Sequence, residues 1–399
     1  ARTPLIIAGA GDTPEDTSVF QAALNLARRM ELDDDFLINA TDRMVTLTER
    51  GRERLKSLAD ELPVAWRPLR AREEIATQAL SALHLFERDT HYLVRDGKVQ
   101  IVDEYTGRVM ADRSWERGLH QLVEAKEGCE HTERRTTLAR ITYQRLFRRY
   151  LRVGGMSGTV LEVAPEMDAV YGLRTACIPP NRPSRRIDQG TRLYATRALK
   201  WAAVARAAGT VRAAGRPVLI GTRSVAASEE LAAALTERGL DHQVLNARQD
   251  EQEAAIVAAA GAAGRITVAT NMAGRGTDIH LDSDARANGG LHVILTEFHE
   301  SKRIDRQLYG RCARQGDPGS CEAIVSLEDE LFVRHASAGA KRFALTYGAA
   351  TEPLPDWVAG TMRAVAQASA EWINAQVRRS TVALDRKLET ALGFAGRSE

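Results

Sequence analysis

From about residue 215 to 330, short apolar runs alternate with longer stretches of helical spacing. "RPVLIGT" is one such run, and "AASEELAAALTERG" after it is an alanine-rich helix with Gly239 placed as its stop. "DHQVLNA", "GRITVATN", "GLHVILTE" and "CEAIVSLED" read as further strands, with helical or loop segments between several of them. Apolar strands alternating with helices predict a parallel sheet covered on both faces, because a strand buried on two sides needs no polar face. In such sheets ligands sit beyond the carboxyl ends of the strands. Two glycine-rich loops, "NMAGRGTDI" and "GRCARQGDPG", adjoin these strands, and a ligand site is expected there.

Residues 10–132 follow a different pattern and are expected to form a separate α+β domain. "MVTLTERGRERLKSLADEL" reads as a strand entering a helix. "HYLVRDGKVQIVDEYTGRVM" reads as a β-hairpin with Asp-Gly at its turn. The stretch "TERRTTLARITYQRLFRRYLRVGG" shows Leu138, Ile141, Leu146 and Tyr150 at helical spacing and predicts a helix ended by Gly154 and Gly155. Its arginines read as a solvated face pairing with carboxylates, since no aromatic platform accompanies them. Within the last sixty residues, "AVAQASAEWINAQVRRSTVALDRKLETAL" predicts one long amphipathic helix, with "EPLPDW" as the linker before it.

Composition adds limits rather than identity. Apolar residues at 44% and charged residues at 27% of 399 describe a globular chain with room for two or three domains. Lys+Arg 55 against Asp+Glu 53 leaves a formal charge of +2, which disfavours a dedicated nucleic-acid binder. Cys129, Cys177, Cys312 and Cys321 lie far apart without a CxxC pair, so neither a disulfide framework nor a zinc site is expected. The longest small-apolar run, "AAIVAAAGAAG", is too short to span a bilayer.

A phosphate-cradling loop needs glycines followed by Lys-Ser/Thr, so that backbone N–H groups and one ammonium face the phosphates. These residues contain no such loop; "DGKV" holds its lysine in the hairpin turn. "IVDEY" at 101–105 imitates a magnesium-holding acidic box, but its place in the hairpin makes exposed strand-end carboxylates the expectation. The arginines carry more chemistry. Arg311 and Arg314 stand three apart and would point the same way from a helical turn. Planar guanidinium groups supply paired donors to the charge that spreads over a transferring phosphoryl group. In "NMAGRGTDI", Arg275 lies between Gly274 and Gly276, and Asp278 can accept from a ribose hydroxyl or hold an arginine. Two such loops in one α/β unit point to one half of a two-lobed nucleotide motor.

"TNMAGRGTDI", "GGLHVILTEFHESKRIDRQLYGRCARQGDPGS" and "RPVLIGT" resemble the second nucleotide-binding lobe of SecA, the bacterial preprotein translocase ATPase. "ARTPLIIAG", "HYLVRDGKVQIVDEYTGRVM", "GLHQLVEAKEG", "GGMSGT" and "IPPNRP" resemble further SecA segments in family order. The arginine loops resemble those of superfamily 2 helicases generally, whereas "RTPLIIAG", "VDEYTGR" and "GLHQLVEAKEG" resemble SecA and little else.

The resemblance implies an α/β fold: a RecA-like parallel-sheet motor lobe, an inserted α+β polypeptide cross-linking domain and a C-terminal scaffold helix. It assigns residues 1–9 and 133–184 to the first nucleotide-binding lobe, 10–132 to the cross-linking domain, 185–335 to the second lobe and 340–399 to the scaffold. Arg311 and Arg314 would sense the γ-phosphate. Asp278 and Arg275 would contact nucleotide or couple its state, Gly274, Gly276 and Gly310 would serve backbone geometry, and Gln307 would buttress the loop. Cys312-Ala313 replace the family's Ser-Gly, which stiffens the loop, while Phe298 and Tyr309 replace arginines and are expected to alter contacts across the lobes. ATP and Mg²⁺ are the implied cofactors. The implied partners are unfolded preprotein, a membrane protein-conducting channel, anionic lipid and the missing first-lobe segment. The implied place is the cytoplasm and the inner face of the plasma membrane.

Without the phosphate loop, the chain is expected to be inactive alone, with exposed apolar patches where the first-lobe segments lack their sheet. A helicase fragment and a non-catalytic polypeptide-binding module remain as alternatives.

Overall fold

The computed structural model describes residues 5–10, 18–39, 44–58, 68–102, 109–110, 113–132, 135–245, 253–270, 278–347 and 352–393. The chain forms two compact units, Ile6–Ala139 and the combination of Ala1–Leu5 with Arg140–Glu399.

The first of these is α+β. Strand β1 (Leu5–Ala10) is followed by α1 (Ser18–Ala27), β2 (Phe36–Asn39), β3 (Met44–Leu47), α2 (Glu49–Ser57) and α3 (Leu69–His84). Then come β4 (Tyr92–Arg95), β5 (Lys98–Val102), β6 (Val109–Met110), α4 (Leu119–Glu127) and β7 (Arg135–Ile141). Helices α1, α3 and α4 pack together around Phe20, Leu24, Leu80, Tyr92 and Leu122. The expected hairpin is β4–β5, paired antiparallel, with Asp96 and Gly97 both at positive φ as its two-residue turn requires. The expected strand-to-helix entry is β3–α2, where Thr48 accepts from the Gly51 N–H at 3.1 Å.

The helix predicted across 132–155 is not there. Residues 135–141 form β7, which pairs with β1. "RTTLARI" is rich in β-branched residues, and a partner strand outweighs a helical spacing that rests on few positions. Among the described residues of this stretch only α5 (Tyr143–Phe147) is helical, opened by a Thr142 side chain that accepts from Arg145 N. Nor do its arginines lack aromatic company, since Tyr143 stacks on Phe147 at 5.8 Å and Phe147 meets Tyr150 at 6.3 Å.

The larger unit continues through α6 (Ala164–Tyr171), β8 (Arg185–Tyr194), α7 (Arg197–Ala213), β9 (Val218–Thr222) and α8 (Val225–Glu237). It then runs β10 (Gln243–Leu245), α9 (Glu253–Ala259), β11 (Ile266–Thr270), α10 (Ser283–Ala287), β12 (Leu291–Leu295) and α11 (Lys302–Tyr309). Strand β13 (Pro318–Ser326), α12 (Glu330–His335), α13 (Ala338–Leu345) and α14 (Asp356–Gly393) complete it. The sheet order is β10-β11-β9-β12-β13-β8, and every pairing is parallel. Alternate residues feed two cores. Val218, Ile220, Val268 and Ile294 meet α7 and α8, while Leu219, Val293 and Leu295 meet α11, α12 and α14.

Strand β8 escapes the apolar pattern because it is an edge strand whose first six residues are exposed. The last helix, α14, buries Val358, Met362, Ala366 and Ala370 as one stripe. Segment 140–172 is tied to α14 by Arg378–Glu166, bidentate at 2.7 and 2.9 Å, and by Thr142–Asp385. Around it Leu151, Met156 and Ile178 are exposed.

Candidate functional site

Helix α11 and the loop after it place the arginines. The helix is fixed at its start by Asp305, a fully buried carboxylate. That carboxylate accepts from the His299 N–H at 2.9 Å, bonds His299 Nδ1 at 2.6 Å, and accepts from Gln367 Nε2 of α14 at 2.7 Å. Gln367 also donates to the His299 carbonyl at 3.0 Å and accepts from Arg363 Nε at 3.1 Å. Farther along, Leu308 lies so close to β9 that a Cβ on Gly221 would come within 2.4 Å of its Cδ2. The helix is therefore pinned before its C-terminal loop begins.

The loop is not the continuing helical turn that would set Arg311 and Arg314 side by side. The helix stops at Tyr309, and Ala313 at φ 55°, Gln315 at φ 52° and Gly316 at φ 85° turn the chain left-handed. Gly310, expected to supply unusual backbone geometry, has an ordinary right-handed φ of −68°. The conformational demand falls instead on Ala313, where a side chain is strained. Arg314 folds back so that Nε donates to the Gly310 carbonyl at 2.8 Å and Nη1 to Asp278 Oδ1 at 2.7 Å. Arg182 clamps the far side, donating to the Gln315 carbonyl at 3.1 Å. Arg311 and Gln307 are half-buried beside it.

Asp278 thus holds an arginine, one of the two roles read for it. Its carboxyl lies below the usual range, chiefly because of the hydrogen bond from Arg314. The pair is 39% and 35% exposed, so either partner can exchange for a competing ion at small cost. Gly274, Arg275 and Gly276 lie outside the described residues, as does the acidic stretch from residue 103. Phe298 and Tyr309, expected to alter contacts across the lobes, are buried within this one. Arg363 of α14 lays its guanidinium 4.3 Å from the Phe298 ring centroid.

The position of the arginine loop also differs from the expected one. It enters β13 at the amino end, not beyond a carboxyl end. What stands beyond the carboxyl ends of β9, β12 and β13 is a charged network that sequence reasoning missed. Arg223 reaches Glu297 at 3.5 Å and Glu330 at 3.4 Å, and the Glu330 N–H donates to Glu297 Oε1 at 3.0 Å. Burial pushes the Glu297 carboxyl up to about 7 although Arg223 opposes it. Lys200 of α7 pairs with Asp329 at 2.5 Å. A signal existed for Lys200: it falls on the same helical stripe as the buried Val204 and Ala208.

A doubly covered parallel sheet with an arginine loop docked on an acidic residue is the architecture of a RecA-like motor lobe. Two family models match this chain: the SecA P-loop domain over residues 183–288 and 283–350, and the SecA preprotein cross-linking domain over residues 15–124. "Protein translocase subunit SecA 2" of Nitrosospira multiformis is 52% identical over 399 residues, covering 100% of this chain and 60% of that protein. "Protein translocase subunit SecA 3" of Magnetococcus marinus is 47% identical over 402 residues, covering 100% and 61%. The E. coli DEAD-box protein SrmB, solved bound to RraA, shares 23% identity at a TM-score of 0.30. It covers 37% of this chain and 81% of its own, a likeness too slight to bear on function. The chain belongs to the SecA family. It spans about 60% of the length of these curated relatives.

Proposed function

We propose that this chain supplies the second motor lobe and the polypeptide clamp of a SecA-type, ATP-driven protein translocation motor. The observation that carries the reading is the joining, in one chain, of matches to the SecA P-loop and SecA preprotein cross-linking domains. In this reading residues 185–335 are the second lobe, 10–132 the clamp, 1–9 and 133–184 segments of the first lobe, and 340–399 the start of the scaffold.

Among the described residues, Arg311 and Arg314 fit the γ-phosphate side of ATP. Arg314 holds its guanidinium against Asp278 in a half-exposed pair, and Arg311 lies on the same loop. No GxxxxGK[S/T] loop occurs in the sequence to cradle the other phosphates. ATP, once bound, supplies a phosphoryl group whose transfer spreads negative charge over its terminal oxygens. Arg311 and Arg314 stabilise that charge, Asp278 holds the folded-back Arg314 in place between turnovers, and Asp305 and Gln367 hold α11 still beneath them. Gln307 supports the loop from the last turn of α11, and Gly274, Arg275 and Gly276 complete the nucleotide contact. Mg²⁺ comes with the nucleotide. Unfolded preprotein is the substrate of the clamp, and a protein-conducting channel with anionic lipid on the inner face of the plasma membrane is the docking partner. Among the described residues no helix is long and apolar enough to cross a membrane.

Titration with a fluorescent ATP analogue, with and without Mg²⁺, tests the nucleotide half. We expect this chain alone to bind no tighter than about millimolar, roughly −4 kcal/mol. Micromolar binding lost in the Arg311→Ala, Arg314→Ala double variant would show a complete site and refute the half-site reading. Photo-cross-linking of an unfolded preprotein tests the clamp. Adducts confined to residues outside 10–132 would refute that part.

A further inference from the structure

Two thiols lie together beneath the arginine loop. Cys312 sits between Arg311 and Arg314 and is buried; Cys321 sits on β13 and is also buried. A Cβ on Gly319 would come within 3.1 Å of the Cys312 Cβ, and residues 319 and 321 share one face of β13. Both residues belong to one buried cluster, and Cys312 in its thiol form reaches the Tyr309 carbonyl at 3.2 Å. We propose that Cys312 and Cys321 form a reversible redox pair whose disulfide fastens the arginine loop to the sheet.

The surroundings suit each sulfur to a different role. Cys312 is the more acidic, first through the neighbouring Cys321 thiol and then through the Arg186 and Arg216 guanidinium groups, against the effect of burial. Cys321 is pushed up by its partner, by burial and by Asp188. A thiolate in an electropositive setting is the nucleophile. Its attack on a hydroperoxide breaks the O–O bond, gives the Cys312 sulfenic acid and releases hydroxide or alkoxide. The Cys321 thiol then displaces the sulfenic oxygen as water, forming the S–S bond with both electrons taken by the peroxide. Access comes from the sheet edge. Cys321 pairs with Asp188 in the exposed half of β8, and the β13–β8 register slips between Cys321 and Ala323. Displacing that edge would open a path to the pair. The disulfide would tie residue 312, midway along the arginine loop, to β13 of the lobe's sheet.

The test uses the full chain and does not depend on nucleotide or preprotein binding. The folded, reduced protein is treated with hydrogen peroxide, quenched, denatured, alkylated and digested with trypsin. Residues 312–314 should appear joined to residues 315–334 with the loss of two hydrogens, and dithiothreitol should separate them. Native trypsin cleavage after Arg311 and Arg314 should slow in the oxidised protein. Cys321→Ser should stop the pathway at a dimedone-trapped sulfenic acid on Cys312. If exposed Cys177 is oxidised while Cys312 and Cys321 stay alkylatable, the proposal fails. It also fails if Cys312 gains oxygens in the wild-type chain with no link to Cys321.

Discussion

The buried pair Lys200–Asp329 offers the most demanding test of how the motor lobe is held together. Lys200 is 2% exposed and Asp329 1%, with 2.5 Å between Nζ and Oδ1. Asp329 also accepts from Ser326 Oγ at 2.7 Å and from the Ser326 N–H at 2.8 Å, and the ammonium lies 4.2 Å from the Trp201 ring centroid. Lys200→Met removes the ammonium that compensates the carboxylate but keeps the volume of the stem. A buried charge stripped of its partner costs about 3–5 kcal/mol. With a urea dependence of about 3 kcal/mol per molar for a unit of this size, the midpoint should fall by roughly 1–1.7 M. Trp201 fluorescence reports the transition, since its indole donates to Glu230 at 2.8 Å within the same unit. Asp329→Asn keeps an acceptor for Ser326 and should cost a similar amount. The double variant should lose less than the sum by about 1–3 kcal/mol. A midpoint for Lys200→Met within about 0.3 M of wild type, on the same dependence, would mean that the pair is solvated and the reasoning is wrong.

Three further outcomes are expected. Glu297 has a folded value of about 7, above its ordinary 4.5, so the fold favours its protonated form. Stability should therefore fall as pH rises from 5 to 8, by up to about 3 kcal/mol, and Glu297→Gln should flatten that slope in pH-dependent melts; an unchanged slope assigns it elsewhere. Gly51→Ala places a Cβ 2.0 Å from the Asp35 carbonyl oxygen, a backbone clash that α2 cannot avoid without moving. It should destabilise the Ile6–Ala139 unit by about 3 kcal/mol or more, read by proteolysis of that unit, and wild-type resistance would contradict the geometry. Ala313→Gly relieves a residue held at φ 55° and should raise the lobe's stability by about 1 kcal/mol; a loss would show that the loop is not left-handed there.

Much of the motor lobe was legible because its central strands are buried on both faces. β9, β11 and β12 are short, apolar and bounded by turn residues, a pattern that survives without knowledge of their neighbours. The β4–β5 hairpin was equally plain, since Asp96-Gly97 can supply the positive φ values locally. Strand β8 was hidden because its exposed edge half is polar. Strand β7 was mistaken for helix because its partner β1 is more than a hundred residues away in sequence.

At the site, the residue types were readable and the pairing was half readable. Asp278 was given two roles, and the hydrogen bond from Arg314 selects one. The disposition of the arginines was not readable, since Ala313 and Gln315 adopt left-handed angles that neither residue signals. Lys200–Asp329 and Arg223–Glu297–Glu330 join residues from separate βα loops and helices, so only the packing of the sheet brings them together. The sequence alone determined which segments are apolar enough to be strands, where turns fall and which residues can bear charge toward a phosphate, because these depend on neighbours a few residues away. Tertiary structure decided which strand lies at the edge, which charges are buried in pairs and where the arginine loop points. Those outcomes depend on burial and on partners that the chain meets only after it has folded.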